Sequence, residues 1–271
     1  MRVAATGPRR GVPAGRAEVA ALSRRAVIRI ARQPSAWLPG LLVPLLMTAV
    51  FTGDYGKVAA AIGFPASASY LHYVLPAALL AGAVYVGIVT GTEATLDVEN
   101  GFISRLLLAT IWRPAILVGP LAVAALQAIA QSCVLLAVFA AFGAGIHGGL
   151  SGCVVILLAT ALFTVAIAGA AIALGLWTGD SEVMQGLFGV LFILLFLSSA
   201  FFPPTDMSGW FRAGATHSPV TMLVDGMRDP VLGLRGGHGP AEALLVAVAC
   251  CAVGIVLALT ALRGRDRAGA A

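Results

Sequence analysis

The alternation of apolar and polar segments is the feature that most limits what this chain can fold into. Six mostly apolar runs are separated by short polar or glycine-rich breaks, and they cover about residues 35–52, 70–92, 115–142, 150–177, 185–202 and 241–262. A helix needs about 20 apolar residues to cross roughly 30 Å of hydrocarbon, which is close to the length of these runs. The sequence therefore predicts an all-α integral membrane protein with six transmembrane helices. The first run is short and contains Pro39 and Pro44.

The composition excludes the common classes of soluble protein. Hydrophobic residues make up 59% of the 271 residues and charged residues 11%, with a mean hydropathy of +0.96. Soluble chains contain about 25% charged residues. So little polar surface would not cover a globule, which excludes a cytosolic enzyme and a disordered chain. The four cysteines lie inside apolar runs, without the spacing of a metal site or of a disulfide framework.

The basic residues predict the orientation in the membrane. Of 17 lysines and arginines, thirteen fall on one side of a six-span topology: eight before the first span, two between the second and third, and three after the last. Basic residues concentrate on the cytoplasmic side, so we expect both termini there, in a bacterial plasma membrane. The expected parts are a basic cytoplasmic N-terminus (1–34), a six-span membrane domain (35–262) and a cytoplasmic tail (263–271). Because the charge marks the ends of apolar runs, no nucleic-acid partner is expected.

The basic N-terminus also carries a helical pattern. Apolar residues recur at helical spacing on one side of it, and arginines take the other side: Val19, Leu22, Ala26, Val27 and Ile30 against Arg25, Arg29 and Arg32. This pattern predicts an amphipathic helix in the inner headgroup layer, in contact with membrane lipid. More than thirty residues precede the first apolar run, so we expect no cleaved signal peptide. The alternative is a topology anchor with no further role.

The connection between the second and third spans is unusually apolar for a loop. Asp97 and Glu99 precede an apolar group, and Arg105 comes late, an order that suits the dipole of a short helix. The apolar group consists of Phe102, Ile103, Leu106 and Leu107. These residues either lie on the membrane surface or enter a groove of a partner protein.

A second polar segment, residues 203–239, falls on the external side of this topology. Ser218 and Pro219 predict a helix start, and an apolar stripe follows at Val220, Leu223, Val224 and Met227, with Asp225 and Arg228 off the stripe. We expect a half-buried helix in the outer leaflet, with Trp210 and Phe211 at the interface. The segment either gates the membrane domain or only covers it.

The predicted spans contain few polar candidates. Their interiors lack the carboxylates of ion-coupled carriers and any nucleophile and base on one helix face, so no catalytic residue and no metal site is expected. The possible pathway residues are Gln127, Gln131, Ser198 and Ser199. For the two glutamines, bonding across to a neighbouring helix is the commoner role. Aromatic residues at helical spacing, namely Tyr85, Phe188, Phe192 and Phe196, either line an apolar path or belong to the core.

The chain has no nucleotide-binding loop of its own. A P-loop needs a glycine-rich turn that ends in Lys followed by Ser or Thr, and the single lysine, Lys57, is followed by Val58. No cofactor is therefore expected on this chain, and any ATP would be bound by a partner subunit.

Taken together, several motifs of the sequence resemble the type 2 ABC transporter (ABC-2 type) export permeases, in particular the daunorubicin-resistance-like membrane subunits. The motifs are Glu99, Gly101, Arg105, Leu106 and Leu107 with Arg113 following, Tyr70 to Pro76, and Phe202-Pro203 with Met207, Trp210, Ser218-Pro219 and Asp225 to Arg228. The resemblance covers about residues 19–262.

The resemblance implies an arrangement of parts. It implies a coupling helix that docks on a separate ATPase subunit, a pair of external re-entrant helices between spans 5 and 6, and a second permease copy, identical or not, against the fifth span near Gly186 and Gly189. The ATPase-coupling residues would be Glu99, Gly101, Phe102, Arg105, Leu106, Leu107 and Arg113.

The resulting hypothesis is the permease subunit of an ATP-driven exporter for a drug-like, lipid or other amphipathic substrate. Such a chain is not itself an enzyme, because ATP hydrolysis would take place on the partner. The alternatives are an ATP-independent channel or carrier, and a structural membrane component.

Overall fold

The described part of the chain is helical throughout. The computed structural model describes residues 28, 34–59, 70–103, 105, 114–204, 207–232 and 239–268. Eight helices occupy these ranges: α1 (Pro34–Ala59), α2 (Tyr70–Glu99), α3 (Ala115–Ala141), α4 (Gly149–Thr178), α5 (Glu182–Phe196), α6 (Gly209–His217), α7 (Pro219–Leu232) and α8 (Pro240–Ala268). The predicted N-terminal amphipathic helix lies outside the described residues apart from Ile28, and so do Leu106, Leu107 and Arg113.

Four helices are long and apolar enough to cross a membrane, and they are α2, α3, α4 and α8. Two shorter apolar stretches, Leu38–Asp54 in α1 and Glu182–Phe196 in α5, lie at the first and fifth predicted spans. The all-α prediction is confirmed for the described residues. The total of six crossings stays a prediction.

Helix α2 lies at the centre of the packing. Its apolar residues cover all sides, a pattern typical of a buried helix, and 89% of its most apolar window is buried. Val74, Leu75, Leu79 and Leu80 are all essentially inaccessible. In contrast, α3 and α8 each expose an apolar face. These exposed faces match a surface covered by lipid.

Small residues let the long helices approach closely. A Cβ atom built on Gly169 of α4 would lie 2.5 Å from the carbonyl oxygen of Gly254 in α8, so the two backbones touch. At Gly175 of α4, the space that a Cβ would take is filled by the side chain of Thr95 from α2. Glycine at these two positions therefore lets α4 pack closely against α8 and α2.

The fifth apolar run is less helical than the sequence suggests. We expected a span to about Phe202, but α5 ends at Phe196 and the chain continues in turns. Tyrosine hydroxyls of α2 compete for the carbonyls beyond this end, because Tyr73 donates to Ser199 O and Tyr70 to Phe201 O, each at 3.1 Å. Side chains therefore replace the helical hydrogen bonds there.

The acidic residues between the second and third predicted spans also lie elsewhere than expected. Asp97 and Glu99 belong to the last turn of α2 and not to the start of a separate short helix. Gly101 then adopts a left-handed conformation, with φ of +67°, that ends α2. The prediction that these two acids favour the dipole at the start of a short helix was therefore wrong. The Glu99 carboxylate instead accepts a hydrogen bond from the start of α5.

Candidate functional site

Residues 99–113, at and after the end of α2, are named here the coupling loop after the role that the resemblance implies. Of its predicted contact residues, the structure describes Glu99, Gly101, Phe102 and Arg105. The backbone N–H of Arg105 donates to Gly101 O at 3.2 Å, so a helical turn starts directly after the left-handed glycine. Ile103 is buried in an apolar cluster with residues of α2, α4 and α8, while the Arg105 side chain is exposed. The turn is fixed on the helices and presents Arg105 outward.

Glu99 links the coupling loop to α5. Its Oε1 accepts a hydrogen bond from the backbone N–H of Ser181 at 2.7 Å. Ser181 is the N-cap residue of α5, and a carboxylate at a helix N-terminus is favoured by the helix dipole. Sequence reasoning missed this contact because the two residues are 82 positions apart. A displacement of the loop at Glu99 would pull on the start of α5.

The end of α8 reaches the same region. This helix continues past the predicted span to Ala268, and the Arg265 guanidinium donates to Leu176 O near the end of α4. A cation close to a helix C-terminus favours the dipole of that helix. One end of the molecule thus contains Glu99, Arg105, Ser181 and Arg265.

The opposite end holds a buried polar group, named here the Arg228 cluster: Tyr73, Ser199, Ala200, Asp225 and Arg228. Arg228 is 7% exposed. Its Nη2 donates to Ser199 O at 2.6 Å and to Ala200 O at 2.9 Å, and its Nε donates to Tyr73 O at 3.1 Å. Its Nη1 lies 2.8 Å from Asp225 Oδ1 and 3.3 Å from Ser199 Oγ. The fork of donors on a guanidinium suits such a set of acceptors.

The Arg228 cluster connects three parts of the chain. The guanidinium lies 3.4 Å from the ring centroid of Tyr73 in α2, a cation–π distance. The Ser199 hydroxyl donates to Asp225 Oδ1 at 2.8 Å, and the Ser199 N–H donates to Thr221 Oγ1 at 3.0 Å. The cluster thereby partners the backbone groups that α5 leaves free where it ends.

The structure confirms most of what the sequence predicts for residues 203–239, but it differs at Arg228. The predicted helix start at Pro219 is confirmed, and so is the burial of Leu223, Val224 and Met227. Arg228, expected off the apolar stripe, is buried as well. The available signal was the spacing of Asp225 and Arg228, which places an acid and a base on one face of a helix.

The structure does not bring the four possible pathway residues together. Gln131 donates from Nε2 to Gly40 O at 2.7 Å, which confirms the alternative that it bonds across to a neighbouring helix. Gln127 is half-buried one turn away. Ser198 donates to Leu195 O within the end of α5, and Ser199 belongs to the Arg228 cluster.

Aromatic rings form a continuous row along α5. Tyr85 of α2 meets Phe188 at a centroid distance of 6.4 Å, and Phe192 and Phe196 follow at 5.6 and 5.3 Å. The row continues to Phe201 at 4.7 Å. Most of these rings are only partly buried. Phe201 belongs to the buried core and Phe188 packs against it, whereas Phe196 is exposed.

Two histidines bind backbone carbonyls near the ends of helices. His147 Nδ1 lies 2.8 Å from Val231 O, and His217 Nδ1 lies 3.0 Å from Ala213 O. Within the described ranges, no three His, Cys, Asp or Glu side chains come close enough together to hold a metal ion.

Comparison with known proteins gives consistent matches. The family model described as ABC-2 type transporter matches residues 17–232, which is more than half of the chain. The daunorubicin resistance ABC transporter permease protein DrrB1 of Streptomyces coeruleorubidus is 26% identical over 89% of this chain and 84% of its own length. A probable doxorubicin resistance ABC transporter permease protein, DrrC, of Mycobacterium tuberculosis is 21% identical over 78% of this chain and 75% of its own.

Proposed function

Because the chain belongs to the ABC-2 type transporter family, we propose that it is the membrane-spanning permease of an ATP-driven exporter with a separate ATPase subunit. The cargo would be a drug-like, lipid or other amphipathic molecule. The observation that carries the proposal is the match of residues 17–232 to the family, together with relatives named as daunorubicin and doxorubicin resistance permeases.

The proposed topology has six crossings with both termini in the cytoplasm, α1 and α5 being the two short crossings. Exposed apolar side chains along both helices support it: Leu38, Leu42, Leu46 and Val50 on α1, and Val190, Ile193 and Leu194 on α5. Such faces need lipid or another membrane helix to cover them. A second permease, as copy or sister chain, would lie against part of this surface, since one set of six spans rarely encloses a route for a bulky solute.

The proposed ATPase contact is the coupling loop. Its support is the exposed Arg105 on a turn fixed by Gly101 and Ile103, beside the half-buried Phe102. Leu106, Leu107 and Arg113 would complete the contact. Closure of the ATPases on nucleotide would move this loop, and the Glu99 bond to Ser181 would pass the movement to α5. The permease itself would then contribute docking and motion, while ATP binding and hydrolysis stay on the partner.

The proposed cargo class rests on the lining of the spans. The aromatic row from Tyr85 to Phe201 offers apolar, stackable surface, and aromatic pairs are favoured in offset or edge-to-face arrangements. A flat amphipathic molecule would find partners there without a charged selectivity ring.

A transport assay tests the proposed function. The chain is co-expressed with a Walker-motif ATPase encoded beside it, and inside-out vesicles are given doxorubicin as a fluorescent probe. We expect doxorubicin to accumulate inside when ATP is added. The matched control replaces the catalytic glutamate of the ATPase by glutamine, which should abolish accumulation while both subunits remain present.

Two results would contradict the proposal. ATP-independent accumulation would favour a channel or carrier. Failure of the chain to co-purify with any Walker-motif ATPase, with no ATP-dependent movement of doxorubicin or of a labelled phospholipid, would leave a structural membrane component as the better explanation.

A further inference from the structure

Hydrogen bonds hold helix α5 at its two ends. Within Glu182–Phe196, only Met184 and Leu195 are buried. Gly186 and Gly189 have no atom within 4 Å of the position that a Cβ would take. At its start, the N–H of Ser181 binds Glu99. Along its length, Leu187, Phe188 and Leu191 pack partly buried on the core, so apolar contacts hold the middle of α5 and hydrogen bonds hold its ends.

The C-terminal end of α5 is bound to α7 by several hydrogen bonds. Arg228 donates to Ser199 O, Ala200 O and Ser199 Oγ. In return Ser199 donates to Thr221 Oγ1 and Asp225 Oδ1. Separating this segment from α7 would leave carbonyls and a guanidinium without partners in an apolar environment, which is strongly disfavoured.

Helix α7 is in turn fixed to the rest of the molecule. A Cβ on Gly226 would lie 2.5 Å from that of Ala243 in α8, so these helices are in close contact. The N–H of Gly148 donates to Pro230 O at 2.8 Å, and His147 binds Val231 O, which ties α7 to the start of α4. The Arg228 cluster is therefore a fixed point, whereas among the described residues the middle of α5 is held by apolar contacts and not by a comparable set of hydrogen bonds.

We propose that Arg228 is a positioning residue for export: it fixes the C-terminal end of α5 on α7, so that a movement of the coupling loop swings the N-terminal end of α5 about this point. The inference rests on the proposed exporter function. Glu99 would deliver the movement at Ser181, and Arg228 would convert it into a tilt of α5. Without Arg228 the whole helix would shift, and ATP hydrolysis would be less effectively linked to transport.

The first test measures doxorubicin transported per ATP hydrolysed by the reconstituted complex. Arg228→Met keeps an extended side chain but removes every donor. We expect hydrolysis to continue while transport per ATP falls by at least about fivefold, within the usual range for coupling between sites. The control is Arg212→Met, at an exposed arginine of α6, which should leave the ratio unchanged. An unchanged ratio in Arg228→Met would overturn the proposal, because a merely structural role would lower both activities together.

A reversible cross-link provides a second measurement. Leu197, directly after α5, lies close to Gly214 of α6: a Cβ on Gly214 would be 3.4 Å from Leu197 Cδ1. The pair Leu197→Cys and Gly214→Cys is introduced after the four native cysteines, Cys133, Cys153, Cys250 and Cys251, have been replaced by alanine. A disulfide there would tie the end of α5 to the α6–α7 unit in place of Arg228.

With Arg228 present, we expect the disulfide to leave transport per ATP unchanged, because the joined parts do not separate. In Arg228→Met it should restore the ratio, and reduction should lower it again. Loss of transport on cross-linking the Arg228-containing chain would overturn the proposal, since the segment would then have to leave α6 and α7. The Arg228-containing arm can still contradict the fixed end of α5 if Arg228→Met fails to accumulate.

A labelling experiment separates this inference from the proposed function. Ala200 is fully buried beside Arg228. In the cysteine-free chain, Ala200→Cys should react slowly with a maleimide, and faster when Arg228→Met is added. Equal labelling rates with and without Arg228→Met would overturn the proposal that Arg228 fixes this segment. If Arg228→Met raises the labelling rate in a complex that transports nothing, the positioning role of Arg228 stands and only the exporter function is contradicted.

Discussion

Single residues decide how closely the helices of this protein approach one another. Gly169 of α4 and Gly254 of α8 meet backbone to backbone, with no room for a side chain at either position. Gly186, in contrast, is open on the surface of α5. In a membrane, where apolar burial does not distinguish lipid from protein, close packing of this kind is a main source of helix association.

We expect Gly169→Ala to destabilise the folded protein by about 1–3 kcal/mol, the usual cost of overpacking a tight contact. The added methyl would force α4 and α8 apart. The matched control is Gly264→Ala on α8, where no atom lies within 4 Å of the added methyl; it should be neutral or stabilising by up to about 1 kcal/mol because alanine favours a helix more than glycine does. Thermal unfolding in detergent measures both. Equal midpoints for the two variants would show that the α4–α8 contact is not tight.

At the scale of elements, α2 connects the two polar ends of the molecule. It has 30 residues and therefore a length of about 45 Å. Tyr73, near its start, belongs to the Arg228 cluster, and Glu99 at its end binds Ser181. Helix α5 and the turns that follow it join the same two ends, and α5 has far fewer buried residues than α2.

The coupling loop is the element for which we predict the largest functional effect of a charge change. Arg105→Glu should prevent productive contact with the ATPase, abolishing ATP-dependent doxorubicin transport while the chain still inserts in the membrane. The same exchange at Arg212, also exposed but on α6, should have little effect. Co-purification of the ATPase and vesicle uptake are measured for both variants. Full transport by Arg105→Glu would refute the docking role of the loop.

Elements were more predictable than the contacts between them. Hydropathy located the four long apolar helices, and Ser218-Pro219 marked the start of α7, because both signals are local in the chain. The end of α5 was misplaced, since the tyrosines that bind its free carbonyls belong to α2, well over a hundred residues away. Arg228 is buried because carbonyls distant in the sequence, those of Tyr73, Ser199 and Ala200, accept its hydrogen bonds. The contact of Glu99 likewise required the folded arrangement.

At the scale of the whole molecule, the polar clusters of the described residues lie at two ends with an apolar middle between them. In the described part of the middle, threonines such as Thr90, Thr160 and Thr164 donate to carbonyls of their own helix. Gln131 bridges two helices. This distribution suits a chain that lies across a bilayer, with the coupling loop at one surface and α6 at the other.

The orientation of the whole molecule is testable by thiol labelling. In the cysteine-free chain, Trp210→Cys on α6 replaces a side chain that is 76% exposed, and Glu99→Cys lies at the opposite end. An impermeant maleimide should label position 210 in intact cells and position 99 only after permeabilisation. Labelling of position 99 in intact cells would reverse the proposed topology and remove the ATPase contact from the cytoplasm.

The short length of α5 has a consequence for the surrounding bilayer. Its 15 residues span about 22 Å as a helix, less than the roughly 30 Å of hydrocarbon that a crossing must match. If α5 crosses the bilayer as proposed, the turns after Phe196 cover the remainder, or the adjacent leaflet thins to meet the helix. The acyl-chain length of the surrounding lipid would then act on the same helix that we propose to move in the nucleotide cycle.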